Sequence, residues 1–239
     1  MQSARSQMNL PTTAITLHTL FTGNPGTGKT TVARIIGKLL CGLGFLSQGH
    51  TVEADRSALV AQYAGQTAPK THACVDKALG GVLFVDEAYA LIAESGEDAY
   101  GDEAVQVLLK RMEDDRNRLV VVLAGYPEPM DHLVKSNPGL SSRFQRNFAF
   151  PDYTPDELLK IFLGLCKKNQ YKMTRETARK LQDIFRQIVQ EKDEHFGNGR
   201  TVRNLFEKAL QRMACRVVQS TKMTEELLTV LQPSDVELA

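Results

Sequence analysis

The feature that most constrains this chain is a glycine-rich stretch at residues 23–30. It follows the apolar run 17–22 and leads into a segment whose apolar residues recur at helical spacing. Strand, glycine-rich loop and helix, in this order, form a phosphate-binding loop, in which backbone N–H groups converge on phosphate oxygens at a helix N-terminus. A glycine-rich turn without a ligand is the alternative, but it does not require the lysine and threonine that end the stretch. The sequence therefore predicts binding of a nucleoside triphosphate.

Each position of this loop has a predicted role. Lys29 is expected to reach the β- and γ-phosphates of ATP, and the Thr30 hydroxyl is expected to hold Mg²⁺. The nucleotide-binding residues predicted from the loop and the position after it are Gly23, Asn24, Pro25, Gly26, Thr27, Gly28, Lys29, Thr30 and Thr31.

A second polar pair follows the uninterrupted apolar run 82–85, which is typical of a parallel strand buried on both faces. The run ends in Asp86 and Glu87. In phosphate-loop enzymes an acidic residue here supports Mg²⁺ and its neighbour can polarise the attacking water. We therefore assign Asp86 to the metal and Glu87 to the general base. The alternative is that Asp86 caps a helix over residues 87–91.

The order of apolar patterns predicts an α/β fold. Strands at 51–54, 82–85 and 119–124 alternate with helices across residues 15–150, which favours a parallel sheet with helices on both sides. From residue 153 onward only helical faces recur, beginning with a capping box and a proline at the first helical position. We predict a nucleotide-binding domain at 1–152 and a small all-α lid domain at 153–239.

Composition excludes several classes of protein. Lys and Arg total 29 against 28 Asp and Glu, a net charge of +1, so bulk charge indicates no nucleic-acid partner. No apolar run is long enough to cross a membrane, and the four cysteines lie far apart without a metal-binding spacing. A cytoplasmic protein with reduced cysteines is the expectation.

Taken together, the motifs resemble an AAA+ ATPase module, and more narrowly the CbbX/CfxQ branch with the SpoVK-like ATPases. The resemblance extends from about residue 15 to residue 220 and implies an ATPase with a helical lid. Its motifs lie at residues 21–34, 62–71, 80–89, 123–126, 136–140 and 150–153.

The resemblance also implies roles for residues outside the phosphate loop. Tyr63, Ala64 and Gly65 match the central-pore loop that grips a threaded polypeptide; a plain surface tyrosine is the alternative. Arg143 matches the arginine finger that reaches a neighbouring subunit's γ-phosphate, with Arg146 as a weaker second candidate.

Arg200 matches sensor 2, an arginine at the start of a lid helix that contacts the nucleotide of its own subunit. Ordinary surface charge is the alternative for all of these arginines, and it is the stronger interpretation for Arg146 and Arg203.

For the whole molecule, the resemblance implies a ring, most often a hexamer, that remodels a protein partner. In named relatives that partner is inhibited Rubisco. Two rival functions are a phosphotransferase with the same phosphate loop and a nucleic-acid motor or loader; the balanced charge and the absence of interleaved aromatic and basic residues count against the second rival.

Three departures from the family pattern are expected to matter. Gly125-Tyr126 stands where the wider superfamily usually has a polar sensor 1 residue, as it also does in the CbbX-like branch, and Ser141 stands where many relatives have a second arginine. The family's adenine-side segment, which precedes the first strand, has no counterpart here. We therefore expect the chain to be a fragment truncated at its N-terminus, with the phosphate half of the site intact.

Overall fold

The computed structural model describes residues 8, 16–92, 98–193, 196–220 and 223–237. It divides into two compact units. The first unit comprises Met1–Gly23 and Gly28–Phe150, and the second comprises Asn24–Thr27 and Pro151–Ala239. The domain limits proposed from the sequence remain a prediction.

The first unit is built on a five-stranded parallel sheet, in the order β2-β3-β4-β1-β5. The α/β class predicted from the sequence is confirmed. The strands are β1 (Thr19–Gly23), β2 (Thr51–Ala54), β3 (Val82–Val85), β4 (Val120–Gly125) and β5 (Arg146–Phe150).

Helices connect these strands, as the crossover between parallel neighbours requires. A short 3₁₀ turn, Ala88–Leu91, follows β3. The helices are α1 (Lys29–Gly42), α2 (Arg56–Leu59), α3 (Thr67–Ala78), α4 (Ala99–Asp114), α5 (Pro127–Ser136) and α6 (Pro138–Arg143).

Both faces of the sheet are covered, because alternate residues of the central strands enter different cores. Leu83 and Val85 pack in the cluster that includes α3 and α4 residues. Val82 and Phe84 pack in the cluster that includes Ala33 of α1. The absence of polar alternation in β3 is thus explained by burial on both sides.

The edge strand β5 and the helices α5 and α6 were not predicted from the sequence. The first four residues of β5 are exposed, and it begins with Arg146 and Asn147, so it lacks the continuous apolar run of a central strand. Pro127 and Pro138 lie in the first turns of α5 and α6, where proline is tolerated. In the sequence alone, the same prolines suggest that a helix is interrupted.

The second unit is mainly helical, with a two-stranded parallel pair that the sequence did not indicate. Edge-to-face aromatic contacts join Phe162 to Phe185 and to Phe206 in its core. Its elements are α7 (Pro155–Lys168), β6 (Lys172–Met173), α8 (Arg175–Gln190), α9 (Gly199–Val218), α10 (Glu225–Thr229) and β7 (Val230–Leu231).

The predicted capping box at the start of α7 is present. The Thr154 hydroxyl accepts a hydrogen bond from the Glu157 N–H, and the Glu157 carboxylate accepts one from the Thr154 N–H. Within the described ranges, no helix is long and apolar enough to cross a membrane.

Candidate functional site

The phosphate loop and the acidic pair leave the sheet at the same edge. The strand β4 lies between β1 and β3, with Leu123 paired to Leu20 on one side and to Val85 on the other. All three strands are parallel, so their carboxyl ends coincide. Two strand spacings place β1 and β3 about 10 Å apart. A ligand at this edge can therefore meet groups from both loops.

The loop passes into α1 at Gly28, whose φ of 93° is left-handed and suits glycine. The first turn of α1 contains no acidic residue, so its positive dipole end is not neutralised locally. The Lys29 Nζ donates to the Gly23 carbonyl oxygen at 2.6 Å. That bond holds the lysine side chain against Gly23, the first residue of the glycine-rich stretch.

The acidic pair has a specific backbone geometry. The Asp86 N–H donates to Ala54 O at 2.8 Å, and Asp86 Oδ1 accepts from the Glu87 N–H at 3.1 Å. Glu87 is exposed and has φ 49° and ψ 42°, a left-handed conformation that is uncommon for a non-glycine residue. Such outliers cluster at functional sites.

The alternative assignment of Asp86 as a helix cap is wrong. The segment after it is a 3₁₀ turn that begins at Ala88, and its N-cap residue is Glu87, without a side-chain cap. Among the described residues, the Asp86 carboxylate therefore accepts a hydrogen bond only from the Glu87 N–H. Its carboxylate and the Thr30 hydroxyl are oxygen donors of the kind that Mg²⁺ prefers.

The strand end between the two loops carries Gly125 instead of a polar side chain. A Cβ at Gly125 would lie 2.7 Å from the Tyr89 ring, so the missing side chain makes room for that ring. The Tyr89 and Tyr126 rings are 6.0 Å apart. Burial, followed by the charge of Glu87, raises the pKa of Tyr89. An aromatic pair therefore stands beside the acidic pair.

Residues 24–27, the tip of the phosphate loop, accept hydrogen bonds from residues of the second unit. The Tyr153 hydroxyl donates to Thr27 O at 2.8 Å, and the Gly199 N–H donates to Gly26 O at 3.0 Å. The Asn198 Nδ2 lies 3.3 Å from Pro25 O. Sequence reasoning did not assign these roles. The available signals were that residues 150–153 form one of the motifs of the resemblance and that Asn198 and Gly199 directly precede Arg200, the match to sensor 2.

Gly26 is the position where this arrangement demands glycine. Its φ is +74°, and a Cβ there would collide with the carbonyl oxygen of Gly197. A side chain would therefore both strain the backbone and displace the loop tip.

Arg143 is half-buried at the end of α6. Its guanidinium lies 3.5 Å from the Glu113 carboxylate and 3.4 Å from Gly139 O. Its Nε is buried and has no partner in the part of the chain that the structure describes. Arg146 is exposed at the start of β5 and donates to Thr16 O at 2.7 Å. The finger assignment concerns a neighbouring subunit and remains a prediction.

The other predicted residues lie on accessible surfaces of their own units. Tyr63 is 68% exposed, and the following Ala64 and Gly65 are exposed in the loop between α2 and α3. In the second unit Arg200, the second residue of α9, is exposed, as is Arg203 one turn later. These positions leave the pore-loop and sensor 2 roles as predictions.

Comparison with known families agrees with this architecture. Residues 19–152 match the model for "ATPase family associated with various cellular activities (AAA)", and residues 154–239 match the AAA lid domain. The fold and its phosphate-loop edge thus define a nucleotide-binding ATPase with a lid.

Curated relatives narrow the group. Stage V sporulation protein K of Bacillus subtilis is 41% identical over 98% of this chain and 73% of that protein. The CfxQ homolog of Galdieria sulphuraria is 43% identical over 97% of this chain and 76% of that protein. A chloroplastic ribulose bisphosphate carboxylase/oxygenase activase of Cyanidioschyzon merolae is 44% identical over 97% and 79%. The chain belongs to the AAA ATPase family, in the group of CfxQ and stage V sporulation protein K, as the motifs predict.

Solved structures support the fold alone. The FIGL-1 AAA domain in complex with ADP has a TM-score of 0.59 at 20% identity, over 98% of this chain and 71% of that one. A RuvB mutant of Thermotoga maritima has a TM-score of 0.58 at 20% identity, over 95% and 64%.

Proposed function

We propose that this ATPase binds Mg²⁺–ATP at the edge formed by the ends of β1 and β3 and uses hydrolysis, within a ring of subunits, to remodel a protein partner. The observation that carries the proposal is that the phosphate loop leading to Lys29 and the Asp86–Glu87 pair follow the ends of two parallel strands separated only by β4. A phosphate-binding helix end and a pair of carboxylates at one sheet edge is the arrangement that phosphoryl transfer requires.

Each group at the edge has one task in this proposal. Lys29 and the loop N–H groups bind phosphate oxygens, and Thr30 and Asp86 supply oxygen ligands to Mg²⁺, which neutralises the charge that develops on the phosphates. The exposed Glu87 carboxylate orients the attacking water and takes its proton. The left-handed backbone at Glu87 supports this role, because it is a strained conformation at a residue whose side chain contributes nothing to the core.

The direct test is nucleotide binding by the Lys29→Ala variant. Loss of the ammonium removes a charge-assisted contact to the phosphates, so affinity for ATP should fall at least tenfold. Lys38→Ala is the matched control, because Lys38 is an exposed lysine of the same helix. Wild-type affinity in Lys29→Ala would contradict the assignment of the loop.

Ring assembly is proposed from the family and from the state of Arg143. Its buried Nε is left unpartnered among the described residues, and its contacts to Glu113 and Gly139 are long, so its own subunit does not satisfy it fully. A γ-phosphate bound by a neighbour would complete its hydrogen bonds.

Mixing two inactive variants tests this arrangement. Arg143→Ala subunits retain Glu87 but lack the finger, whereas Glu87→Gln subunits supply the finger but lack the base. Mixed rings should regain ATP turnover, because an Arg143→Ala site then receives arginine from its Glu87→Gln neighbour. If turnover does not recover, and if its rate rises in simple proportion to enzyme concentration over the range in which rings would assemble, a phosphotransferase acting as a monomer is favoured.

The protein partner is proposed from the exposed loop that contains Tyr63. An exposed aromatic side chain followed by two small residues can grip an extended polypeptide without a fixed sequence. Rubisco is the first substrate to test, because one relative carries the name of its activase. Tyr63→Ala should preserve basal ATP turnover and abolish reactivation of inhibited Rubisco; full reactivation would contradict the pore-loop assignment.

A cytoplasmic location remains a prediction, since the relative named as an activase is described as chloroplastic.

A further inference from the structure

The tip of the phosphate loop, residues 24–27, is held by its carbonyl groups. Successive carbonyl oxygens of Pro25, Gly26 and Thr27 accept hydrogen bonds from Asn198 Nδ2, the Gly199 N–H and the Tyr153 hydroxyl, at 3.3, 3.0 and 2.8 Å. We call Asp152, Tyr153, Asn198 and Gly199 the loop-tip network. All four belong to the second unit, as the loop tip does.

This pattern fixes the direction of the N–H groups of the loop. In a trans peptide the carbonyl of one residue and the N–H of the next point in opposite directions. With three successive carbonyls directed to the loop-tip network, the N–H groups of Gly26, Thr27 and Gly28 are turned away from it. No described residue accepts a backbone hydrogen bond from these three N–H groups. They remain available as donors for an anion.

Asn198 is the centre of the network. Its side chain is fully buried, its Oδ1 accepts from the Tyr153 N–H at 2.9 Å, and its Nδ2 donates to Asp152 Oδ1 at 2.9 Å. The same Asp152 oxygen accepts from Asn24 Nδ2 at 2.9 Å. Asn198 thus holds Pro25 directly and Thr27 through Tyr153.

The backbone of Asn198 shows that its side chain is needed. Its φ of 48° and ψ of −120° match the first central position of a type II′ turn, which glycine dominates. A non-glycine residue keeps such a strained backbone conformation only when surrounding contacts stabilise it. Here the hydrogen bonds of the Asn198 side-chain amide provide that stabilisation.

The Asp152 carboxylate is stabilised in its charged form by three side-chain hydrogen bonds. Burial raises the pKa of Asp152, but the hydrogen bonds from Asn198, Lys192 and Asn24 outweigh burial and hold the pKa below its ordinary value. The carboxylate therefore remains ionised and accepts from both Asn24 and Asn198.

We propose that Asn198, supported by Asp152 and Tyr153, is a positioning residue for nucleotide binding: it sets the phosphate loop in its anion-binding conformation before the ligand arrives. The inference rests on the proposed function of the loop. Pre-organisation reduces the ordering cost of binding, so its loss weakens affinity for the phosphates of ATP or ADP. Asn198 acts through the loop backbone and is not itself a catalytic residue.

Two variants test the proposal in the full chain. Tyr153→Phe removes one hydroxyl and keeps the ring, so it should weaken binding of ADP about threefold, the value of one net hydrogen bond. Asn198→Gly keeps a residue suited to the turn but deletes the amide, and it should weaken binding at least tenfold. Tyr171→Phe is the control, because Tyr171 is a half-buried tyrosine of the same unit that packs on Phe206.

The measurements are the dissociation constant for ADP by fluorescence titration, the rise in Tm caused by ADP, and KM and kcat for Mg²⁺–ATP. A positioning role predicts that the ADP constant and KM rise together, while kcat at saturating ATP changes by less than twofold. A purely structural role predicts a lower Tm without ligand and wild-type ADP affinity, and that result overturns the proposal.

The variants also separate this inference from the proposed function. If the wild-type chain binds ADP and Lys29→Ala does not, the function of the loop stands whatever Asn198→Gly and Tyr153→Phe do. If Asn198→Gly does not fold, Tyr153→Phe decides: affinity equal to that of Tyr171→Phe overturns the proposal.

Discussion

Two regions carry residues that we assign to the nucleotide: the sheet edge of the first unit and the loop-tip network of the second. They differ in how far hydrogen bonds within the protein occupy their side chains. At the edge of the sheet, Asp86 accepts one hydrogen bond from its neighbour, and the Glu87 side chain forms none among the described residues. In the loop-tip network, Asn198 is fully buried and bonds both Asp152 and the Tyr153 N–H. The Asp86 and Glu87 carboxylates, assigned to Mg²⁺ and to the attacking water, thus keep free hydrogen-bonding and ligand capacity among the described residues. The Asn198 amide, which sets the direction of the loop backbone, already uses its hydrogen bonds within the protein.

This contrast has a physical basis. A carboxylate that must bind Mg²⁺ or take a proton loses that capacity when protein donors occupy it. A loop that must present N–H groups to an anion gains from being fixed in advance, because the ordering entropy is then spent on folding instead of binding. The same motif therefore needs loosely held carboxylates at the sheet edge and a tightly held loop tip in the second unit.

The largest effect is expected at the sheet edge. Glu87→Gln keeps the size of the side chain but removes the base, so kcat should fall about 10²- to 10⁴-fold, while affinity for ATP changes by less than twofold. Steady-state turnover and equilibrium binding of ATP measure the two quantities. Turnover near the wild-type rate would reject Glu87 as the base.

A buried histidine in the first unit predicts a pH effect on stability. The Val121 N–H donates to His18 Nδ1 at 3.0 Å, and burial lowers the pKa of His18 to about 4. The unfolded chain binds the proton below about pH 6.5, so the stabilisation is present above that pH and is lost as the pH falls toward 4. The loss amounts to about 3 kcal/mol.

Denaturant unfolding between pH 7.5 and 4 checks this effect, with His18→Gln as the reference variant. The slope of stability against pH should be shallower in the variant. Equal slopes would show that other groups carry the acid sensitivity of the first unit.

The next largest effect, on ADP affinity, is expected at Gly26, where the loop tip lies close to the Gly197 backbone. Gly26→Ala adds a Cβ against Gly197 O at a left-handed φ, so it should displace the loop and weaken binding of ADP at least tenfold. Gly164→Ala is the control, because a Cβ there meets nothing within 4 Å on a helix. Comparable ADP affinity in the two variants would remove the requirement for glycine at the tip.

The smallest effect separates stability of the second unit from its role in positioning the loop. Thr154→Ala removes the capping box beside Tyr153 and should cost about 1 kcal/mol of stability. Because Thr154 forms no part of the loop-tip network, ADP affinity should stay within twofold of the wild type. Thermal unfolding and the same ADP titration give the two values, and a large loss of affinity would mean that loop geometry follows overall stability of the unit.

Local sequence determined much of this protein. Contiguous residues and their apolar periodicity predicted the strands that end at Gly23 and Val85, the helix after the loop and the capping box at Thr154, because each signal lies within one short segment. The family followed from several such segments taken together. The exposed strand β5 escaped prediction, since an edge strand needs no continuous apolar run.

Only the tertiary structure decided the rest. The insertion of β4 between β1 and β3 depends on non-local strand pairing, and no local pattern encodes it. The loop-tip network joins residues far apart in the chain: Asn198 and Pro25 are 173 positions apart, and Asn24 and Asp152 are 128 apart. The sequence showed a loop built to bind phosphates; folding determined which side chains hold that loop and in which direction its N–H groups point.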